Sequence, residues 1–277
     1  MTAKLLPLIV SHQTYVEPFG GGASLLFAKT PSPVEVYNDM DSGLVNFFRV
    51  LRDPDKFERF QRLVALTPYS REEYDHCRDA WESCEDEVER ARQWFVVARM
   101  AFSGGFGSGW GTSVGTSHLN MALTAAQYLV SVQHLPEVAA RLLRVQIEHK
   151  DFREIIKQYD TPGTYFYCDP PYISETRRTG GYAHEMTLKD HKELVKLLLG
   201  IEGNAMLSGY DHEVYHPLEE AGWKKKSWDT ACYAMGRTRA SGIQGTGSAM
   251  GMQPRTETVW IKRPCDADLL TLVPLDV

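Results

Sequence analysis

The stretch Thr14-Tyr15-Val16-Glu17-Pro18-Phe19-Gly20-Gly21-Gly22-Ala23-Ser24 decides how the rest of the chain is read. A β-rich run meets a glycine turn, an apolar helix-like stretch follows, and a second strand, Val34-Glu35-Val36-Tyr37-Asn38-Asp39, leads into another helix. Strand, turn, helix and strand in that order open a parallel sheet of the Rossmann type, which presents its ligands at the carboxyl ends of its strands. Glycines at that point let the backbone turn sharply and approach a ligand without a Cβ in the way. A purely structural tight turn uses the same residues, so the turn alone leaves both readings open.

Working outward, the second strand ends at Asn38-Asp39. Asp39 stands about 20 residues beyond the glycines, where a carboxylate accepts the ribose hydroxyls of a nucleoside. The turn lacks the G-x-G-x-x-G order of a dinucleotide site and no Lys follows it as in a P-loop. Glu17, just upstream, would repel a pyrophosphate but suits the positively charged methionine end of S-adenosylmethionine.

From about Pro54 to Arg144 the pattern is mostly helical, broken by Phe102 to His118, a stretch with six glycines and no acidic or basic residue. From Val145 short strands return (VQIEH, TYFYCD, NAMLSG, ETVWIKR) and alternate with helices, among them Thr187 to Leu199 with a Thr187/Asp190 capping box. The expected architecture is α/β: a doubly wound, mostly parallel sheet from residues 1–53 and 145–277, with residues 54–144 as a mostly helical insertion.

The strand TYFYC delivers Asp169-Pro170-Pro171-Tyr172 to the same sheet edge as the glycine turn. Two prolines fix the backbone and remove two N–H donors, which leaves carbonyls as acceptors beside the Asp169 carboxylate. An exocyclic amino group is a poor nucleophile because its lone pair is delocalised into the ring. Two acceptors for its hydrogens favour a tetrahedral nitrogen, and Tyr172 supplies a flat face. The tetrad is suited to holding and activating a planar NH2.

The pairing of EPFGGG with DPPY, the stretch NDMDSGLVNFFRVL (Asn38 to Leu51) and MLSGYD (Met206 to Asp211) together resemble Dam-type DNA adenine-N6 methyltransferases, in particular those of phages and prophages. The resemblance covers nearly the whole chain and follows the alpha-group order: cofactor motif, target-recognition insertion, catalytic tetrad. It implies a Rossmann-like S-adenosylmethionine-dependent methyltransferase acting on double-stranded DNA by base flipping. It also implies catalysis by Asp169, Pro170, Pro171 and Tyr172. Cofactor contacts would come from Glu17, Pro18, Phe19, Gly20, Gly21 and Gly22, from Asp39 and Met40 at the ribose and adenine, from Asp151 and Phe152 at the adenine, and from Asp169. A helix N-cap is the equal alternative for Asp151. Relatives carry a Trp-containing stretch ending Gly-Gly-Lys before a run like Leu5-Leu6-Pro7-Leu8-Ile9, whereas Met1-Thr2-Ala3-Lys4 precedes it here. That difference leads to the expectation of weak cofactor binding.

For DNA contact, Arg99 and Trp110 flank or lie in the glycine-rich stretch, whose bland alternative is a flexible hairpin with no partner. Arg177 and Arg178 follow the tetrad, and Arg237 and Arg239 open a second glycine-rich stretch with Arg255 beyond it. Arginine forks pair well with phosphates. Cytosine-N4 methylation and a catalytically weak DNA-binding decoy remain the alternatives. His212-Glu213-Val214-Tyr215-His216 matches the zinc-protease H-E-x-x-H pattern, but Pro217 interrupts the helix that pattern needs, so no metal is expected.

Composition sets the remaining bounds. The 277 residues are 43% hydrophobic and 24% charged, with five cysteines and no CxxC pair, which describes a globular chain and excludes a disulfide scaffold. With no apolar run near the ~20 residues of a membrane span and no signal-peptide pattern, the expectation is a cytoplasmic protein of a bacterium or phage-infected cell. A monomer or weak dimer is the expected state. The net charge of -6 conceals nine acids against two Arg between Glu72 and Arg90, and eight Lys or Arg against two acids between Ala221 and Arg263. Basic charge is thus concentrated where phosphate contacts are expected.

Overall fold

The computed structural model describes residues 1–102, 106–107, 109–115, 117–118, 120–173, 185–231 and 254–262. Contacts divide the chain into two compact units. The first, an α/β unit, has residues 1–40 and 148–230 and the strand around residue 257; the second is helical and has residues 41–147.

In chain order the elements begin with α1 (Thr2–Leu5), β1 (Thr14–Glu17), α2 (Ser24–Ala28), β2 (Val34–Asn38), α3 (Ser42–Arg52), α4 (Pro54–Leu66), α5 (Arg71–Ala80) and α6 (Glu87–Met100). A short hairpin of β3 (Ser117–His118) and β4 (Met121–Ala122) precedes α7 (Leu123–Gln133), α8 (Leu135–Leu142) and β5 (Val145–Glu148). The chain continues through α9 (Phe152–Tyr159), β6 (Thr164–Cys168), α10 (Leu188–Gly200), β7 (Asn204–Gly209), α11 (His216–Glu220), β8 (Lys224–Ala231) and β9 (Pro254–Ile261). Among the described residues, seven strands form one sheet in the order β5-β2-β1-β6-β7-β9-β8. β2, β1, β6 and β7 pair in parallel, while β9 runs antiparallel to β7. This is the Rossmann-like α/β fold that the strand and helix pattern predicts.

The central strands are buried on both faces, so they read as continuous apolar runs: all five residues of β6 are buried. Val16, Val36, Phe166 and Leu207 of the sheet pack with Phe152 and Ile155 of α9 and Leu194 and Leu198 of α10. The capping box forms as the sequence predicts, with the Thr187 hydroxyl accepting the Asp190 N–H and the Asp190 carboxylate accepting the Thr187 N–H at 2.9 Å. Arg153 of α9 ties that helix to Asp190 and Glu193 at the start of α10.

β8 escapes a hydropathy reading because it is the edge strand and opens Lys224-Lys225-Lys226; charge on an edge blocks further pairing and erases the apolar alternation.

In the helical unit, α3, α4, α5 and α6 each start at an acidic or hydroxyl N-cap, at Asp41, Asp53, Ser70 and Asp86. Phe47 of α3 meets Trp94, Phe60 and Phe95 with ring centroids 5.1, 5.6 and 5.8 Å away. A Cβ at Gly43 would stand 2.4 Å from Trp81 and 2.5 Å from Trp94, so α3 lies tightly against this aromatic core. For that reason the helical unit begins at Asp41, and α3, which the sequence reading grouped with the sheet, is counted with the helices.

Among the glycines of the turn after β1, Gly20 has no room for a side chain, because an added Cβ would lie 2.1 Å from the Tyr37 ring. Gly20→Ala is expected to lower unfolding stability in urea by about 1–3 kcal/mol through overpacking. The loss should shrink in a Tyr37→Leu background, and an equal loss in both backgrounds would place the cause elsewhere.

Candidate active site

The parallel register sets Thr14, Tyr15 and Val16 of β1 opposite Thr164, Tyr165 and Phe166 of β6. Glu17 and Tyr167 are therefore level, and β6 runs one residue further, to Cys168. The glycine turn leaves the end of β1 and the Asp169-Pro170-Pro171-Tyr172 tetrad leaves the end of β6, at neighbouring positions on one sheet edge.

Asn38, the last residue of β2, is fully buried and ties the neighbouring turns together. Its Nδ2 donates to the Pro18 carbonyl at 2.8 Å and the Lys150 carbonyl at 2.9 Å, and its Oδ1 accepts the Lys150 N–H at 2.8 Å. Its own carbonyl accepts from Gly20 N at 2.8 Å. One residue on, Asp39 Oδ2 accepts the Gly21 N–H at 2.8 Å, and the Tyr37 hydroxyl donates to the Gly21 carbonyl at 2.8 Å. Gly21 adopts φ +47°, in the left-handed region that glycine tolerates best. A Cβ on Gly21 would meet nothing within 4 Å, so the outer surface of the turn is open to a ligand.

Phe19 of the turn packs on Phe152 at 5.1 Å between centroids. Asp151 caps α9 by accepting the Arg153 N–H at 2.8 Å and also pairs with the Arg153 guanidinium at 2.8 Å. The N-cap role of Asp151 is thus realised, while its side chain stays partly exposed. Met40 is exposed beside Asp39.

The electrostatics concentrate on two acids. Glu17 is 1% exposed and accepts the Tyr15 hydroxyl at 2.8 Å. Burial pushes its pKa up to about 8, against the opposing hydrogen bonds from Tyr15 and the Leu26 amide; the charge of Asp169 raises it further and Lys29 lowers it. Asp169 keeps an exposed face, while the protein packed around its carboxyl strips part of its solvation. That crowding pushes its carboxyl up to about 6, opposed by a hydrogen bond from Tyr172, with the Glu257 charge raising it and the Tyr167 hydroxyl lowering it. Ser208 Oγ donates to Tyr167 Oη at 3.2 Å, which continues the hydroxyl network into β7.

Glu17, the glycines, Asp39 and the tetrad, the residues expected from the sequence, converge on one edge. The sequence assigns no role to Tyr37, Asn38, Lys150, Tyr210 or Glu257. An Asn at the buried carboxyl end of a strand was the available signal for Asn38, since such an amide must find partners.

Arg99 is exposed at the last turn of α6. Trp110 is anchored: it forms an isolated bridge with Ala101, lies under the Arg71 guanidinium at 4.7 Å and packs on Tyr69 at 5.3 Å. Arg177, Arg178, Arg237 and Arg239 lie outside the described residues, as do Cys232 and Cys265. Of the H-E-x-x-H segment, His212 is extended and His216 starts α11 after a single 3-10 turn, so no continuous helix aligns the two rings. Asp211, His216 and Glu219 cluster at metal-ligand spacing, but the Lys225 ammonium sits 2.8 Å from Asp211 and 3.1 Å from Glu219. A groove of about 490 Å³ beside α10, lined by Lys192, Lys196 and His212, contains none of the candidate residues. Among the described residues, no helix is long and apolar enough to cross a membrane.

A Rossmann-like sheet with a glycine turn after β1 and an acidic Pro-Pro-Tyr tetrad after β6 is the architecture of a methyltransferase. The chain belongs to the D12 class N6 adenine-specific DNA methyltransferase family, which it matches over residues 3–231. It is also similar to the type II methyltransferase M1.LlaDCHI of Lactococcus lactis subsp. cremoris, with 29% identity over 193 residues. That alignment covers 65% of this chain and 64% of the relative's length.

An acid whose folded pKa lies above its unfolded value favours folding most when protonated, so its contribution is complete below the unfolded value and is lost as pH rises through the folded one. For Glu17 that window runs from the ordinary 4.5 to about 8. Thermal melting of the ligand-free protein should therefore decline from pH 6 to pH 8. Glu17→Gln should flatten the decline and melt above wild type at pH 8; parallel curves would contradict the buried, protonated Glu17.

Proposed function

We propose that this protein transfers a methyl group from S-adenosylmethionine to the N6 amino group of adenine in double-stranded DNA, at a specific sequence and after flipping the base out of the helix. The observation that carries the reading is the convergence of the glycine turn and the Asp169 tetrad at the ends of adjacent parallel strands, with Asn38 fixing the turn. Family membership supports the adenine-N6 choice.

The residues fit a cationic nucleoside cofactor. The exposed outer surface of Gly21 leaves room for close approach, Asp39 lies beside the turn, and Glu17 is a buried acid whose ionisation a positive ligand would favour. When bound, the cofactor supplies an electrophilic methyl on a sulfonium. Asp151, Phe152 and Met40 would line the adenine side.

For the acceptor, Asp169 and the Pro170 carbonyl would each accept one N–H of the amino group, drawing its lone pair out of conjugation, while Tyr172 stacks on the base. As the nitrogen–methyl bond forms, the nitrogen loses one proton to the Asp169 carboxylate, whose open face returns it to water. We assign sequence reading to the insertion 54–144, with Arg99, and phosphate contacts to Arg177, Arg178, Arg237 and Arg239. Trp110 is assigned there as an anchor for the glycine-rich stretch rather than as a probe of bases.

Labelled S-adenosylmethionine incubated with unmethylated DNA should place its label in N6-methyladenine after digestion to nucleosides; N4-methylcytosine would overturn the assignment. Asp169→Ala should lower the rate by at least ~10²-fold. Because Asp169 must be ionised to accept the N–H, the rate should fall as pH drops through about 6. A flat profile between pH 5 and 7 would remove Asp169 from that role.

A further inference from the structure

The two prolines of the tetrad fix the backbone that carries Tyr172 but leave its ring free to rotate about the side-chain bonds. Two contacts remove that freedom. The Tyr172 hydroxyl donates to Glu257 Oε2 at 3.0 Å. Its ring meets Tyr210 edge to face, with centroids 4.7 Å apart and planes at 72°.

Both partners are held by strands that lie beyond the tetrad in the sheet. Tyr210 follows directly on β7, and Glu257 precedes Thr258, which the β7–β9 register sets opposite Gly209. β9 is in turn fastened to β8 by side chains, Thr256 Oγ1 donating to Asp229 at 2.9 Å and Ser227 Oγ lying 3.0 Å from Thr258 Oγ1. The antiparallel strand therefore reaches the reaction edge with one half-buried carboxylate, aimed at the tetrad tyrosine.

A phenol has one hydrogen to donate, and Tyr172 stands near two carboxylates, Asp169 and Glu257. Glu257 Oε2 accepts that hydrogen at 3.0 Å, in competition with Asp169, which lies close enough to accept it too. We propose that Glu257 is a positioning residue for methyl transfer: by accepting the Tyr172 hydroxyl it fixes the ring on which the target base stacks. This inference rests on the adenine-methylation reading for its chemistry, and on the Tyr172–Glu257 hydrogen bond for its geometry.

Steady-state kinetics of four variants test it. Glu257→Ala should lower kcat about ten-fold by loosening the stacking face, with unchanged affinity for S-adenosylmethionine. Glu257→Gln retains an acceptor oxygen and should recover to within about three-fold of wild type, which a role for the charge alone would not allow. Tyr172→Phe removes the same hydrogen bond with the carboxylate intact and should lose about ten-fold; in that background Glu257→Ala should cost less than about two-fold more. A full additional loss from Glu257→Ala in the Phe background overturns the proposal, as does wild-type kcat in Tyr172→Phe. The second of these serves even where Glu257→Ala melts below the assay temperature.

A readout free of activity separates this proposal from the functional reading. In protein labelled with 13C at tyrosine Cζ, the resonance missing from Tyr172→Phe should move in Glu257→Ala and stay near its place in Glu257→Gln. If it does not move, the positioning role fails; if it moves while wild type methylates no adenine, the functional reading fails instead.

Discussion

The site depends on a buried amide. Asn38 ends β2 with no exposed surface, and its side chain satisfies the Pro18 and Lys150 carbonyls and the Lys150 N–H together. Those groups belong to two different turns, one leaving β1 and one following β5. Without the amide, the buried Pro18 carbonyl and the half-buried Lys150 carbonyl and N–H lose their partner, and a group left buried and unsatisfied costs about 1–3 kcal/mol. With it, the turn holding Gly20 and Gly21 and the turn that starts α9 share one reference point. Asp39 and Tyr37 then complete the turn from either side of Asn38.

A second constraint is charge. Glu17 and Asp169 interact with each other, and Glu257 adds a third carboxyl that raises Asp169. Acids held together with raised pKa values do not favour the ligand-free fold at neutral pH, and such groups cluster at working sites. A cationic cofactor would relieve this strain at Glu17. For Asp169, a value near 6 keeps the carboxyl ionised at neutral pH yet basic enough to take a proton from nitrogen.

The parts of this arrangement that were legible in the sequence are those with local signals. The glycine turn, the strand ending in the tetrad and the Thr187 capping box each lie within a few residues of chain, where backbone chemistry is read directly. Asn38 was visible as a strand end but not as a clamp, because its partner Lys150 lies 112 residues away. Glu257 likewise meets Tyr172 across 85 residues, through a strand order that pattern reading does not supply. β8 was hidden by its lysines, and the membership of α3 in the helical unit was decided by aromatic packing around Phe47 and Gly43. Trp110 is held by the Arg71 guanidinium over its ring and by the bridge to Ala101, and the contact with Arg71, 39 residues away, has no local signal.

Asn38 fixes two turns at once and so would build the cofactor side of the proposed site. Titration calorimetry of S-adenosylmethionine into Asn38→Ala, at a temperature where its melting curve shows it folded, tests this most directly. The expected affinity is at least ten-fold below that of wild type, about 1.4 kcal/mol or more. Wild-type affinity in the folded variant would contradict it.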